Sequence, residues 1–213
     1  MKKLFSIIMT ALLLAALATC GSNTLAGTNE TQTAAEESFQ SESDDKNPAG
    51  DTATIHSDVL VAYFSATGTT KGVAEKIAAI TGGDLYEIVP AEPYSDADLN
   101  WNDRNSRSTK EQNDKNVRPE IGSAEISMEG YTTVYLGFPI WWGEEPRILD
   151  TFVEKYNFEG ITVIPFCTSG SSGIGRSGPN MEALAGNGTW LQGKRFGGNA
   201  SDADVQSWIE GLK

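Results

Sequence analysis

VLVAYFSATGTTKGVAEKIA, residues 59 to 78, decides how the rest of the chain is read. It opens on a near-continuous apolar run, as a strand buried on both faces does. Ser65-Ala66-Thr67-Gly68-Thr69-Thr70 then puts four hydroxyls and a glycine into one turn. Val73, Ile77 and Ile80 follow at helical spacing, with Ala74 and Ala78 beside them, and Gly82-Gly83 ends the helix. A helix N-terminus offers unpaired N–H groups and the positive end of a dipole. With Ser and Thr hydroxyls added, such a turn holds a phosphate monoester without a buried cation. Gly68 lets the backbone close tightly around it. The stretch has neither the Gly-Lys-Ser/Thr end of a Walker loop nor a Gly-x-Gly-x-x-Gly dinucleotide turn. Taken alone, it also reads as a capped turn whose hydroxyls serve only the helix start.

Strand and helix signals go on alternating. DLYEIVP is a second strand, stopped by Pro90. In the long excursion 91–129, Ser95-Asp96 caps an expected helix through about Asn113, and VRPEIGSAEISMEG reads as loop. So long an excursion is expected to lie over something. YTTVYLGFP is a third strand, and Pro146 opens a helix to Tyr156 with Leu149, Phe152 and Val153 on its buried stripe. ITVIPFCTSG is a fourth strand, Asn180 to Leu184 a short helical piece, and WLQGKRFGG holds a short fifth strand. Ser201 caps a last helix with Val205, Trp208, Ile209 and Leu212 on one face. Five strands alternating with helices imply an open parallel sheet covered on both faces. Ligands of such sheets bind at the carboxyl ends of strands, where the strand order reverses.

Two further strand ends carry chemistry. FPIWWGEEP follows the third strand with two adjacent indoles, and FCTSGSSGIGRSG follows the fourth with many flexible N–H groups. A phosphate cradle, an aromatic wall and a polar backbone loop together suit a flat heterocycle with a phosphate tail. Cys167 reads first as a small buried strand-end residue, the other reading being a reactive thiol beside the ligand. Arg104, Glu111 and Arg118 read as surface charge or as ion pairs within the excursion.

Before this domain come two other segments. Residues 1–19 begin with Lys2 and Lys3, then run apolar from Leu4 to Ala18, the pattern of a secretory signal. Leu17-Ala18-Thr19-Cys20 resembles a bacterial lipoprotein lipobox, with Thr19 where Gly, Ala or Ser is usual. That resemblance implies a lipid anchor on Cys20 in the extracytoplasmic cell envelope, since two acyl chains suffice for stable attachment. Residues 20–57 are polar and acidic, and are expected to form a disordered tether. The domain, 58–213, has thirteen basic and twenty-two acidic residues, a net charge of −9. That argues against nucleic acid as a partner. The single histidine, His56, lies in the tether, so no histidine-based acid–base chemistry is available in the domain. One domain cysteine makes no internal disulfide and no metal site.

Ser65 to Thr70 resembles the FMN phosphate loop of flavodoxins, and PIWWGEEP and PFCTSGSSGIG resemble the two flavin-ring loops of a flavodoxin-like lipoprotein branch. The resemblance spans residues 58 to 212. It implies a flavodoxin-like three-layer α/β/α sandwich, a five-stranded parallel sheet in order 2-1-3-4-5, and bound FMN. By position, Ser65, Thr67, Gly68, Thr69 and Thr70 would hold the phosphate. Pro139, Ile140, Trp141, Trp142 and Gly143 would flank the ring, either indole being the one that stacks. Thr168, Ser169 and Gly170 would meet the ring edge or ribityl chain. The usual tyrosine of the second ring loop is missing, which implies a ring more open on one face. The function implied is electron transfer at the extracytoplasmic face of the membrane, through a redox partner protein. The alternative is an FMN-dependent oxidoreductase using NAD(P)H and a small quinone-like substrate. A binding module that keeps the fold without redox chemistry is the reading from another class.

Overall fold

Alternate residues of strand β1 (Val59–Tyr63) face opposite sides of a sheet, and both sides are buried. Leu60, Ala62 and Phe64 join one core cluster, Val61 and Tyr63 the other. That is why the run is apolar at every position and not at every second one. The computed structural model describes residues 57–212. The expected signal segment 1–19, the expected lipid anchor at Cys20 and all but the last residue of the expected tether 20–57 lie outside the described residues.

The remaining elements are α1 (Thr69–Thr81), β2 (Asp84–Glu87), α2 (Arg107–Asn113), β3 (Thr133–Pro139), α3 (Arg147–Lys155), β4 (Thr162–Thr168), α4 (Ser177–Ala185), β5 (Thr189–Trp190), β6 (Lys194–Phe196) and α5 (Asp202–Glu210). Every strand pairing is parallel, in the order β2-β1-β3-β4-β5, with β6 also pairing β4. The chain leaves β1 to one side for β2 and returns on the other side for β3. The order therefore reverses between β1 and β3, and the ligand crevice of such sheets opens there. Helices α1 and α5 cover one face through Val73, Ile77, Val205 and Ile209. Helices α3 and α4 cover the other through Ile148, Phe152 and Met181. Phe64, Phe138, Phe152, Phe158 and Phe166 are fully buried, each contributing about 1.5–3 kcal/mol by leaving water. Gly137 lies under the Phe166 ring, where a Cβ would come within 2.2 Å of it.

Three expectations need correction. The fifth strand is split. Leu191 donates to the Val163 carbonyl at 2.9 Å, so Val163 and Pro165 turn their backbone groups to this edge. Pro165 has no N–H to give, and three residues, Leu191 to Gly193, span the two β4 positions Ile164 and Pro165 before pairing resumes at Lys194. The helix expected from Ser95 is also absent until Arg107. Ser95 and Asp98 do cap one turn, with Ser95 Oγ donating to Asp98 Oδ2 at 2.6 Å. Asn100 and Asp103 then accept from the N–H groups two residues on, at 3.1 and 2.8 Å. Such local bonds compete with helix. Ser106 is the actual N-cap of α2, its Oγ accepting from Thr109 N–H. The short helix expected at Asn180 instead begins at Ser177.

Candidate functional site

The turn between β1 and α1 is built by Gly68, whose φ of 84° only glycine adopts without strain. No side chain caps α1, so its first-turn N–H groups keep their capacity for a ligand. Thr67 and Thr69 are exposed, with their hydroxyl oxygens 3.5 Å apart. Ser65 Oγ is buried without a hydrogen-bond partner. A hydroxyl left so in a folded chain is costly unless something else completes it. Thr70 is buried and its hydroxyl meets that of Thr168 at 2.8 Å, tying the cradle to the end of β4.

Ser65, Thr67, Thr69 and Thr70 share one cavity of about 390 Å³ with Pro139, Ile140, Trp141 and Trp142 from the end of β3. Here the two indoles separate. Trp141 packs edge-on against Phe64 (5.5 Å, 87°) and Tyr94 (5.2 Å, 81°). Trp142 is 45% exposed at the cavity mouth. Trp141 and Glu144 exchange backbone hydrogen bonds at 2.9 and 3.0 Å. Between them Trp142 and Gly143 have φ of 49° and 87°, the pattern of a two-residue type I′ turn. Trp142 is the only non-glycine residue with positive φ among the described residues, a strain of about 1–3 kcal/mol that the surroundings must hold. Gln112 of α2 does so, its Nε2 donating to the Trp141 and Glu145 carbonyls at 3.0 and 3.1 Å.

The excursion supplies the side of the cavity that sequence reasoning missed: Leu99, Trp101 and Ser108. Trp101 is 73% exposed. An isolated indole inside the polar tract NWNDRN was the available signal. The excursion is anchored through Tyr94, whose hydroxyl donates to Glu111, with the Arg107 guanidinium 4.1 Å from its ring centre. Arg107 Nε in turn donates to Glu111 at 2.7 Å. Glu111 is thus a buried anchor, Arg118 pairs with Glu154 at 2.7 Å, and Arg104 is exposed.

The loop after β4 is placed differently from its neighbours. Thr168, Ser169 and Gly170 do not line the cavity. Thr168 faces Thr70, and Arg195 of β6 holds the other two, donating to the Ser169 and Gly170 carbonyls at 2.9 and 2.7 Å. The same loop reaches the β3 turn further on, where Gly175 lies against the Gly143 carbonyl. Cys167 is fully buried, and burial pushes its thiol up to about 12, so it is an inert core residue.

The arrangement can hold an anion at the helix start and a flat ring against an indole. The sequence model described as Flavodoxin matches residues 58–212. A candidate flavoprotein from Bacteroides eggerthii DSM 20697 is 44% identical, with a TM-score of 0.68, over 72% of this chain and 96% of its own. Another from Bacteroides uniformis ATCC 8492 is 44% identical, with a TM-score of 0.69, over 73% and 99%. A flavoprotein from Lactobacillus acidophilus NCFM, solved in complex with FMN, is 25% identical, with a TM-score of 0.54, over 71% and 97%. No curated protein matches the chain.

Proposed function

The chain belongs to the flavodoxin family of FMN-binding flavoproteins, and we propose that it is an electron carrier held at the outer face of a bacterial cytoplasmic membrane. One observation supports the placement of the cofactor above the others. The buried, partnerless Ser65 hydroxyl lies in the same cavity as the exposed indole of Trp142. Ser65, Thr67, Thr69 and Thr70 would hold the phosphate with the first-turn N–H groups of α1. Trp142 would lie on the ring, with Pro139, Ile140 and Gly143 shaping that wall and Trp141 packed behind it as core. Thr168 would brace the cradle through Thr70, while Ser169 and Gly170, held by Arg195, stay outside the cavity.

FMN supplies the redox chemistry when bound; the protein binds, orients and tunes it. The net charge of −9 on the domain opposes further negative charge on the ring. That direction suits a low-potential carrier. The acceptor docks at the cavity mouth, where Trp101 and Trp142 are both exposed. The same openness favours a second reading, direct reduction of a small quinone-like molecule with NAD(P)H. The envelope location rests on the apolar segment before Cys20 and on the lipobox resemblance.

The test is a visible spectrum of the purified chain with added FMN, followed by reductive titration. Two separate one-electron steps and no steady NAD(P)H turnover support the carrier. One two-electron step with NAD(P)H turnover supports the reductase. Failure to bind flavin overturns both.

A further inference from the structure

Among the described residues, six buried side-chain atoms have no hydrogen-bond partner. One is Ser65 Oγ. The other five lie together behind the Trp141–Glu144 turn: Gln112 Oε1, Glu145 Oε2, Arg147 Nε, Asp150 Oδ1 and Ser177 Oγ. Beside them is a separate cavity of about 260 Å³, bordered by Lys115, Arg118, Glu145, Arg147, Asp150 and Asn180. The cofactor site does not use this cluster.

Its charges do not balance as written. Three cations, Lys115, Arg118 and Arg147, face four acids, Glu144, Glu145, Asp150 and Glu154. Three of the acids have close cations. Glu144 has Arg147 at 2.6 Å, Asp150 has Arg147 at 3.1 Å, and Glu154 has Arg118 at 2.7 Å. Glu145 is fully buried, and its one cation, Arg147, stands off at 3.8 Å and is already shared. Asn180 donates to Glu145 Oε1 at 3.2 Å, and the Ser177 hydroxyl and Glu145's own backbone N–H act on the carboxyl as weaker donors, which leaves Oε2 without a full hydrogen bond. Helix α4 brings no charge to this carboxyl; α2 and the turn after it bring Gln112, Lys115 and Arg118, and α3 brings Arg147, Asp150 and Glu154.

A proton on Glu145 Oε2 cancels the excess charge. It also turns an orphan acceptor into a donor in a place where Gln112 Oε1 and Asp150 Oδ1 lack one. The directions of titration agree. Burial, with the nearby Asp150, pushes Glu145 up against hydrogen bonds from its own N–H, Ser177 and Asn180 that oppose the rise, whereas bonds to Arg147 and Arg118 hold Glu144 and Glu154 below the usual carboxylate range. Burial also raises Asp150, but Arg147 and Arg118 oppose it.

We propose that Glu145 keeps its proton in the native domain and that this proton fixes the Trp141–Glu144 turn, making Glu145 a positioning residue for the cofactor ring. The step from turn to cofactor rests on the FMN reading above. Ionising Glu145 leaves an uncompensated buried charge one residue past the turn. The strain reaches Trp142 because a single Gln112 amide holds both the Glu145 and the Trp141 carbonyls. The carboxyl is raised in the folded state. Its contribution is therefore full below the ordinary carboxylate range and is lost as pH rises through its folded value. FMN affinity falls in the same direction, and bound FMN makes Glu145 harder to ionise.

The test compares the full chain with Glu145→Gln, which imitates the protonated carboxyl, and with Glu182→Gln on the exposed side of α4. Two profiles are recorded against pH: FMN affinity, and near-ultraviolet circular dichroism of the flavin-free chain. For the wild type, affinity should fall about fivefold or more between about pH 5 and pH 9, with the indole signal changing in the same range. Glu182→Gln should follow the wild type; Glu145→Gln should hold the low-pH dichroism throughout and, beyond the change from the FMN phosphate's own ionisation that all three share, should lack the fall in affinity. A flat wild-type profile, or a Glu145→Gln profile like the wild type's, overturns the proposal. If FMN fails to bind at every pH, the cofactor reading falls and the dichroism profile alone decides for or against Glu145. Infrared spectroscopy of the wild type covers the case in which the variant does not fold. Absence of a protonated-carboxyl band at neutral pH overturns the proposal by itself.

Discussion

Replacing Ser65 by Ala should strengthen the flavin-free fold and weaken FMN binding, two effects of opposite sign from one oxygen. In the flavin-free chain the Ser65 hydroxyl is buried with no partner. Unfolding returns it to water, so the native state bears a desolvation penalty of about 1–3 kcal/mol. Alanine removes the hydroxyl and leaves the backbone turn alone. A gain of about 1 kcal/mol follows, or a melting temperature higher by about 2–4 °C for a chain of this size. In the complex the same hydroxyl donates to a phosphate oxygen, a charge-assisted bond worth about 1.5–3 kcal/mol. Its loss raises Kd roughly 10- to 150-fold. Calorimetric titration measures the second effect, and thermal unfolding without flavin the first. Riboflavin, which lacks the phosphate, is the control, and its affinity should not change. Unchanged FMN affinity would refute the placement of Ser65 at the phosphate. A lower melting temperature would refute its being unpartnered.

Other substitutions separate neighbouring roles. Trp142→Ala should abolish quenching of the bound flavin's fluorescence with little loss of stability, because the indole is 45% exposed. Trp141→Ala should cost about 3 kcal/mol in urea unfolding, since it removes the ring packed on Phe64 and Tyr94. Trp101→Ala should leave stability within about 0.5 kcal/mol and speed FMN release in stopped-flow displacement; an unchanged release rate counts against a wall supplied by the excursion. Gly137→Ala should destabilise by about 1–3 kcal/mol, because the added methyl meets the Phe166 ring. Cys20→Ala should move the protein from the membrane to the soluble fraction; retention there would refute the anchor.

Much of this architecture is local information, and local information is legible in sequence. The apolar run at Val59–Tyr63, the stripe Val73–Ile77–Ile80 and the Ser201 capping box each announce their element by a pattern within one short segment, although the strand's own contacts are distant. The same holds for the cradle. A glycine among hydroxyls at a strand–helix junction needs no distant partner to be recognised. Local rules also mislead where two of them compete. Ser95 and Asp98 start a helix that Asn100 and Asp103 stop at once. Pro165 breaks a strand that is not its own, because the missing N–H belongs to β4 and the lost pairing to its neighbour.

The sequence by itself determined the strand–helix alternation and the hydroxyl-rich turn after β1, because each follows from periodicity and turn residues within one segment; the strand order, which pairs distant segments, came only through the family resemblance. Only the tertiary structure decided which indole is core and which faces the cavity. It also decided that Trp101 and Ser108 join the site from the excursion 91–129, that Arg195 holds the loop after β4, and that Glu145 is short of a cation. Those are properties of distance and burial between segments far apart in the chain. A residue's type shows what it can bond; only its neighbours in the fold show whether that bond is already made.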